Sequence, residues 1–236
     1  MNIAAATAEA FRLLISGDAA LWQIIGVSLF VSITGLLIAT PPAIALGYRV
    51  ATRQFVGRRA LVVVLQALLS FPTVVVGLIV YLLLTRNGPL GDLQWLFTQK
   101  AMIFGQALIA FPVLAAFTLA AVQAVDPRLA ETATVLGASR WRSMWTVLRE
   151  CRFALMAAIV TGFGRVIAEV GSALMVGGNI AGATRTITTA IALETSKGEF
   201  AQGIALGMVL IAIALVINVA LSFLQGRGGL QPASGT

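Results

Sequence analysis

Long stretches without a charged residue alternate with short basic segments along this chain. Four such stretches hold 30, 26, 25 and 27 residues, and they lie between Asp18 and Arg49, Arg59 and Arg86, Lys100 and Asp126, and Glu199 and Arg227. A helix of about 20 apolar residues crosses the hydrocarbon layer of a bilayer. A fifth apolar stretch, 154–176, is interrupted by Arg165 and Glu169. The pattern therefore predicts an all-α membrane protein with about five transmembrane helices.

We predict that residues 1–236 form a single transmembrane domain. The predicted spans are 21–40, 60–84, 101–123, 154–176 and 201–224, with a cytoplasmic loop at 124–153. The first span is expected to end or kink before Pro41-Pro42, because proline lacks a backbone donor and disfavours the helical conformation of the residue before it. Pro72 and Pro112 lie inside the second and third predicted spans.

Composition excludes several classes of protein. Hydrophobic residues make up 59% of the chain and charged residues 11%, against about 25% charged residues in soluble domains. Histidine is absent and Cys151 is the only cysteine, which excludes His/Cys zinc sites, Ser-His-Asp triads and intrachain disulfides. No phosphate-binding Gly-x-x-x-x-Gly-Lys-Ser/Thr loop occurs. We therefore expect a membrane subunit that is not itself an enzyme, with no metal site and no affinity for nucleic acid.

Basic residues are concentrated on one side of the predicted membrane. The loops 49–59 and 124–153 and the C-terminal tail hold ten of them, whereas the opposite face holds five. Because basic loops remain in the cytoplasm, the N-terminus is predicted outside and the C-terminus inside. Five helices are few for enclosing an aqueous path, so we expect self-association. Small residues four apart permit close helix contact, and the sequence leaves open which pairs form the dimer: Gly35/Ala39, Gly164/Ala168/Ser172 or Gly203/Gly207.

The predicted cytoplasmic loop 124–153 is longer than a turn between two spans requires. Asp126-Pro127 is typical of a helix N-cap followed by proline at the first helical position. A short helix is expected at 129–135, ended by Gly137, and a second basic amphipathic helix at 139–150. Such an element is suited to docking against a cytoplasmic partner. A solvated loop lying on the lipid surface is the alternative.

Two charged residues lie within the fourth predicted span. A charge in the middle of a membrane costs at least about 2.5–3.5 kcal/mol on insertion scales, so it normally faces protein or water. Arg165 and Glu169 are four residues apart, on one face of a continuous helix. The pair would either lock helix packing, or Arg165 would lie beside an anion path with Glu169 restraining it. The sequence leaves both interpretations open.

Polar residues follow this span on the predicted outer side. Their hydroxyl, amide and guanidinium groups are suited to guiding a small anion by hydrogen bonds. A threonine-rich helix start at the membrane surface is the alternative. The candidates are Asn179, Arg185, Thr186, Thr188 and Thr189.

A motif in the cytoplasmic loop resembles a known family. Glu131-Thr132-Ala133, three residues and then Gly137 are similar to the EAA loop of ABC-importer permease subunits, whose pattern is Glu-Ala-Ala, three residues and Gly. The chain departs from that pattern at Thr132, and its segment 147–150 lacks the proline that ends the family motif. The resemblance implies that Glu131, Thr132, Ala133 and Gly137 couple the membrane domain to an ATPase subunit.

Further segments resemble permeases of tungstate and molybdate importers, the tungstate branch most of all. They are 168–171, 177–180, 188–195 and 197–200, within a resemblance that covers roughly residues 20 to 225. It implies a type I ABC-importer permease: a homodimer in a prokaryotic plasma membrane, with two ATPase subunits and an extracytoplasmic oxyanion-binding protein. ATP and Mg would be bound by the ATPase partner, and this chain would carry no cofactor.

We therefore expect a permease subunit that imports an oxyanion, and the expected oxyanion is tungstate. Molybdate or sulfate is the near alternative, because tetrahedral dianions differ little in charge. An anion carrier that needs no ATPase is the alternative of a different class. The intramembrane Arg165 and Glu169 favour such a carrier, and the long cytoplasmic loop disfavours it.

Overall fold

The computed structural model describes Arg12 and residues 16–225, so the predicted C-terminal tail with Arg227 lies outside the described residues. Residues 16–225 form ten α-helices, one 3₁₀ helix (Gly91–Leu93) and no β-strand. The α-helices are α1 (Ala19–Thr52), α2 (Arg58–Leu69), α3 (Thr73–Leu84), α4 (Gln99–Gln123), α5 (Pro127–Val135), α6 (Arg140–Glu150), α7 (Arg152–Ile167), α8 (Gly171–Gly177), α9 (Ile187–Lys197) and α10 (Phe200–Gln225). The predicted all-α class is confirmed.

Helix α1 does not end at Thr40, as the two prolines had predicted, but continues to Thr52 with Pro41-Pro42 inside it. Both prolines are exposed, and each removes one backbone hydrogen bond and crowds the carbonyl four residues earlier. Beyond the prolines, Ala43 and Gly47 are buried. The predicted boundary was wrong because packing of the following turns offsets the local cost of proline.

Small residues bring α1 against α4. Gly35, Ala39, Ala43 and Gly47 recur at four-residue spacing and are all buried. A Cβ atom added at Gly47 would lie 2.7 Å from the carbonyl oxygen of Ala115, closer than real Cβ contacts allow. The backbones of the two helices are therefore nearly in contact. The pair Gly35/Ala39, one of the three candidates for the dimer contact, therefore packs against α4 of the same chain.

Two of the predicted spans are bent pairs of helices. The chain bends by 102° between α2 and α3 and by 60° between α7 and α8. Pro72 is the N-cap of α3 and has extended backbone angles, so the chain changes direction there. Three single helices (α1, α4 and α10) are long and apolar enough to cross a membrane, and the two bent pairs raise the number of candidate spans in the described residues to five.

Helix α4 contributes to three separate clusters of buried side chains. Its middle packs with α1, α2 and α7, and its N-terminal part packs with α1, α3 and α8. Its C-terminal end packs against α6 and the start of α7. A fourth cluster joins the N-terminal part of α1 to α9 and α10. The fold therefore holds the segment 124–153 at one end of α4 and the threonine-rich segment near the start of α1.

Replacing Gly47 with alanine is expected to destabilise the protein, because the added methyl group would overlap the backbone of α4. Overpacking of this kind costs about 1–3 kcal/mol. Gly26→Ala is the matched control on the same helix, since nothing lies within 4 Å of an added Cβ there. Thermal unfolding of the purified variants in detergent measures both effects. Equal unfolding temperatures for the two variants would contradict the close contact between α1 and α4.

Candidate functional site

The segment between α4 and α7 forms the predicted helix-turn-helix element. Asp126 is the N-cap of α5, and its side chain accepts a hydrogen bond from the Arg128 N–H at 2.9 Å. Pro127 occupies the first helical position. Gly137 makes the turn with φ at +84°, in the left-handed region that favours glycine. Ser139 is the N-cap of α6. The prediction of two short helices separated by a glycine turn is confirmed.

The tip of this element exposes large apolar side chains. Val135 is 86% exposed and Leu136 is 81% exposed. A cleft of about 390 Å³ lies beside them and is lined by Leu129, Thr132, Ala133, Gly137, Arg142 and Thr146. Glu131 is also exposed, so the four predicted coupling residues share one accessible region. Large exposed apolar patches are typical of interaction sites, and no sequence motif singled out Val135 and Leu136.

One face of helix α6 packs against the end of α4 and the start of α7. Val147 and Leu148 on its buried face pack with Cys151 against Ala121 and Val122 at the C-terminal end of α4. Burial raises the pKa of the Cys151 thiol, so little reactive thiolate forms at neutral pH. A packed apolar contact therefore connects the helix-turn-helix element to α4 and α7.

Arg165 and Glu169 do not form the predicted pair. Helix α7 ends at Ile167, between the two residues, so they are not one turn apart on a continuous helix. Glu169 is 7% exposed, and its Oε1 accepts a hydrogen bond from the Ser172 N–H at 2.9 Å at the start of α8. Arg165 is exposed. The helix-locking interpretation was wrong because the break in the helix gives the carboxylate a backbone partner instead of the guanidinium.

Arg165 lies instead on an exposed face of α7 made of small and polar residues. Thr161, Gly164, Arg165 and Ala168 are all exposed. Their spacing of three or four residues places them on one side of the helix and its C-cap. A Cβ atom added at Gly164 would have no atom of another described element within 4 Å. This face is positively charged and open.

The threonine-rich segment forms the start of α9. Thr186 and Thr189 make a reciprocal capping box, in which the Thr189 hydroxyl accepts a hydrogen bond from the Thr186 N–H at 2.9 Å. The Thr188 hydroxyl donates to the carbonyl of Glu169 at 2.7 Å. All three threonines are buried. The segment starts a helix, and these hydroxyls are hydrogen-bonded within the chain in this conformation. A role for the three threonines in guiding an anion stays a prediction.

Asn179 and Arg185 retain polar atoms without a described partner. Arg185 donates from Nη2 to the carbonyl of Asn179 at 3.5 Å, while Arg185 Nε and Asn179 Oδ1 are buried and unpaired among the described residues. Arg185 also borders a cavity of about 170 Å³ together with Asp18 and Glu194. Lys197 forms a salt bridge with Glu194 at 3.0 Å, so two basic side chains balance the two carboxylates around this cavity. A role for Asn179 and Arg185 in guiding an anion stays a prediction.

The sequence matches a family of transport proteins and is similar to two named permeases. The family described as "Binding-protein-dependent transport system inner membrane component" matches residues 43–227. The "Probable anion ABC transporter permease protein" of Haloferax volcanii is 41% identical over 201 residues, which cover 83% of this chain and 87% of the relative. The "Tungstate uptake system permease protein TupB" of Peptoclostridium acidaminophilum is 40% identical over 222 residues, which cover 92% of this chain and 97% of the relative.

A solved structure has a similar fold. It is a bacterial alginate ABC transporter in complex with an alginate pentasaccharide-bound periplasmic protein, and one of its chains matches with a TM-score of 0.71. The match covers 92% of this chain and 83% of that chain at 22% identity. At this identity the likeness shows the fold alone.

The separate environments of Glu169 and Arg165 predict different effects on stability. Glu169→Ala removes the acceptor of the Ser172 N–H, and loss of a helix cap costs about 0.5–2 kcal/mol. Glu169→Gln keeps an oxygen acceptor and is expected to retain most of that stability. Arg165→Ala is expected to leave the unfolding temperature unchanged, because the side chain is exposed. Equal destabilisation by Arg165→Ala and Glu169→Ala would instead indicate an ion pair.

Proposed function

The chain belongs to the family of binding-protein-dependent transport system inner membrane components, and from that premise we propose that it is the permease subunit of an ATP-driven oxyanion importer, with tungstate as its first substrate. The observation that carries the proposal is the 40% identity to a tungstate uptake permease over 92% of this chain and 97% of that protein. The relative from Haloferax volcanii, named as an anion permease, supports the same class of substrate.

ATP hydrolysis would be supplied by a partner. The chain has no phosphate-binding loop of its own, and we propose that two ATPase subunits bind ATP and Mg while this chain carries no cofactor. Their docking surface is the tip of α5 with its exposed Val135 and Leu136 and the cleft beside it. Glu131, Thr132, Ala133 and Gly137 are the contact and turn residues. The attachment of α6 to α4 gives the ATPases a route to move the membrane helices.

The transport path would lie between two copies of the chain. The open face of α7 with Thr161, Gly164 and Arg165 supports this arrangement, because small residues leave space and a guanidinium attracts an anion. In the proposed orientation the N-terminus is outside and the coupling element is cytoplasmic. An extracytoplasmic binding protein would deliver the oxyanion at the outer side. The solved neighbour with a bound periplasmic protein supports a partner of this kind.

The proposed cycle is alternating access. ATP binding closes the two ATPase subunits, which draws the two coupling elements together and opens the path outward to receive the anion. Hydrolysis separates the ATPases and returns the path to the inward-facing state. The exposed apolar tip favours this mechanism over a carrier without an ATPase, which would have no use for a cytoplasmic docking surface.

Deleting the chain is expected to lower cellular tungsten while molybdenum and sulfur remain unchanged. The measurement is elemental mass spectrometry of cells grown with trace tungstate, molybdate and sulfate together. Restoring the chain as Arg165→Ala should leave tungsten low, although the variant folds, because the positive charge on the path is lost; Arg165→Lys keeps that charge and is the matched control. A fall in molybdenum or sulfur instead of tungsten would contradict the substrate assignment and leave the transporter class intact.

Gly137→Pro is expected to abolish association with the ATPase subunits while the chain still inserts into the membrane. Proline cannot adopt a φ of +84°, so the turn between α5 and α6 must change. Gly198→Pro is the matched control, since Gly198 ends α9 with φ at +83° and, like Gly137, donates its N–H to a carbonyl three residues earlier. Co-purification of the ATPase measures both variants. ATPase binding that survives Gly137→Pro would contradict the coupling assignment.

A further inference from the structure

An apolar groove lies between α1, α6 and α7, apart from the coupling tip and from the open face of α7. Its volume is about 510 Å³, within the range of about 300–1,000 Å³ that is usual for small-molecule sites. Apolar side chains from all three helices form its walls. They include Pro41, Ala45, Trp145, Leu148, Met156 and Ile159.

Two arginines lie where α6 meets α7, at one end of this groove. Arg149 and Arg152 both line it and both are exposed. Arg152 is held in place, because its Nη1 donates to the carbonyl of Arg149 at 3.1 Å and its guanidinium lies 4.5 Å from the centre of the Phe153 ring. Neither arginine makes an ion pair with a carboxylate of the described residues. The wall of the groove therefore carries two positive charges that form no ion pair with a described carboxylate, including that of the neighbouring Glu150.

The groove has the polarity of a membrane interface. Trp141 and Trp145 border it with 64% and 50% of their surfaces exposed, and their rings are in edge-to-face contact with centres 6.0 Å apart. Tryptophan is enriched at the boundary between water and lipid. Ile159 lies seven residues beyond Arg152 on α7, which is roughly 10 Å along a helix axis. When Arg152 lies at the depth of the lipid headgroups, the part of the groove around Ile159 therefore lies at the depth of the acyl chains.

We propose that this groove binds one anionic phospholipid from the leaflet that faces the Arg-rich loops. The lipid phosphate would contact Arg149 and Arg152, and an acyl chain would lie along Leu148, Met156 and Ile159. Charge complementarity favours this occupant, because a phosphate can pair with both guanidinium groups and a neutral apolar segment cannot. The site is independent of the transported anion and of the ATPase surface on α5.

The test uses a photoreactive phosphatidylglycerol with the reactive group in its acyl chain. The full-length chain is reconstituted in phosphatidylcholine vesicles that contain this probe, irradiated and digested, and the labelled peptides are mapped. Labelling is expected on the groove segments of α1 and α7, and a photoreactive phosphatidylcholine should label them much less. The double variant R149Q/R152Q is expected to lower groove labelling about tenfold or more, since each arginine near an anionic surface contributes about fivefold.

The double variant R140Q/R142Q is the matched control. It also removes two positive charges, both from α6, at residues that do not line the groove, and should retain groove labelling. A second variant, Ala45→Trp, fills the groove from an exposed position and leaves both arginines in place; it should lower labelling as well. Unfolding temperatures report whether each variant is folded.

Three results would overturn the proposal. Equal losses of labelling in R149Q/R152Q and R140Q/R142Q would show a general attraction of basic residues to the membrane. Equal labelling by the two phospholipids would show that the headgroup charge is not recognised. If the wild-type protein is labelled only outside the groove, then something else covers the groove, such as a second copy of the chain or its N-terminal residues.

Discussion

The contact between α1 and α4 through glycine and alanine is the constraint on which the other helices depend. Inside a bilayer, helices gain little from hiding apolar surface, and close packing of small residues takes over that role. With Gly35 and Gly47 touching the backbone region of α4, the two long helices form a narrow unit. The bent pairs α2–α3 and α7–α8 pack around it, and the coupling element is attached at the C-terminal end of α4.

Breaks in the helices explain how polar groups are accommodated in the bundle. Where α8 begins, the first backbone N–H groups have no helical acceptors, and the Glu169 carboxylate accepts a hydrogen bond from one of them, that of Ser172. The Thr188 hydroxyl then satisfies the Glu169 carbonyl. The polar residues around the break thus hold α8 and α9 in place, and Arg165 is left free on the open face of α7.

Local features were predictable from the sequence, and features that depend on distant contacts were not. The Asp126 cap and the Gly137 turn are determined by residues within the segment itself, so both helices of the coupling element were predicted. The continuation of α1 through Pro41-Pro42 depends on α4, which is far away in the chain. The separation of Arg165 from Glu169 depends on a helix break that no proline marks. Periodicity assumes a continuous helix, so it could not detect that break.

The position of α4 in the chain has a consequence for the order of assembly. Both partners of the central contact are complete once Gln123 has been synthesised, before any residue of α5 to α10 exists. Domains generally fold from the N-terminus as synthesis proceeds, and α1 and α4 can join in the membrane at that stage. Later helices then dock onto an existing scaffold. Helix α10 follows the other described helices in the chain, and only 17% of its most apolar stretch is buried.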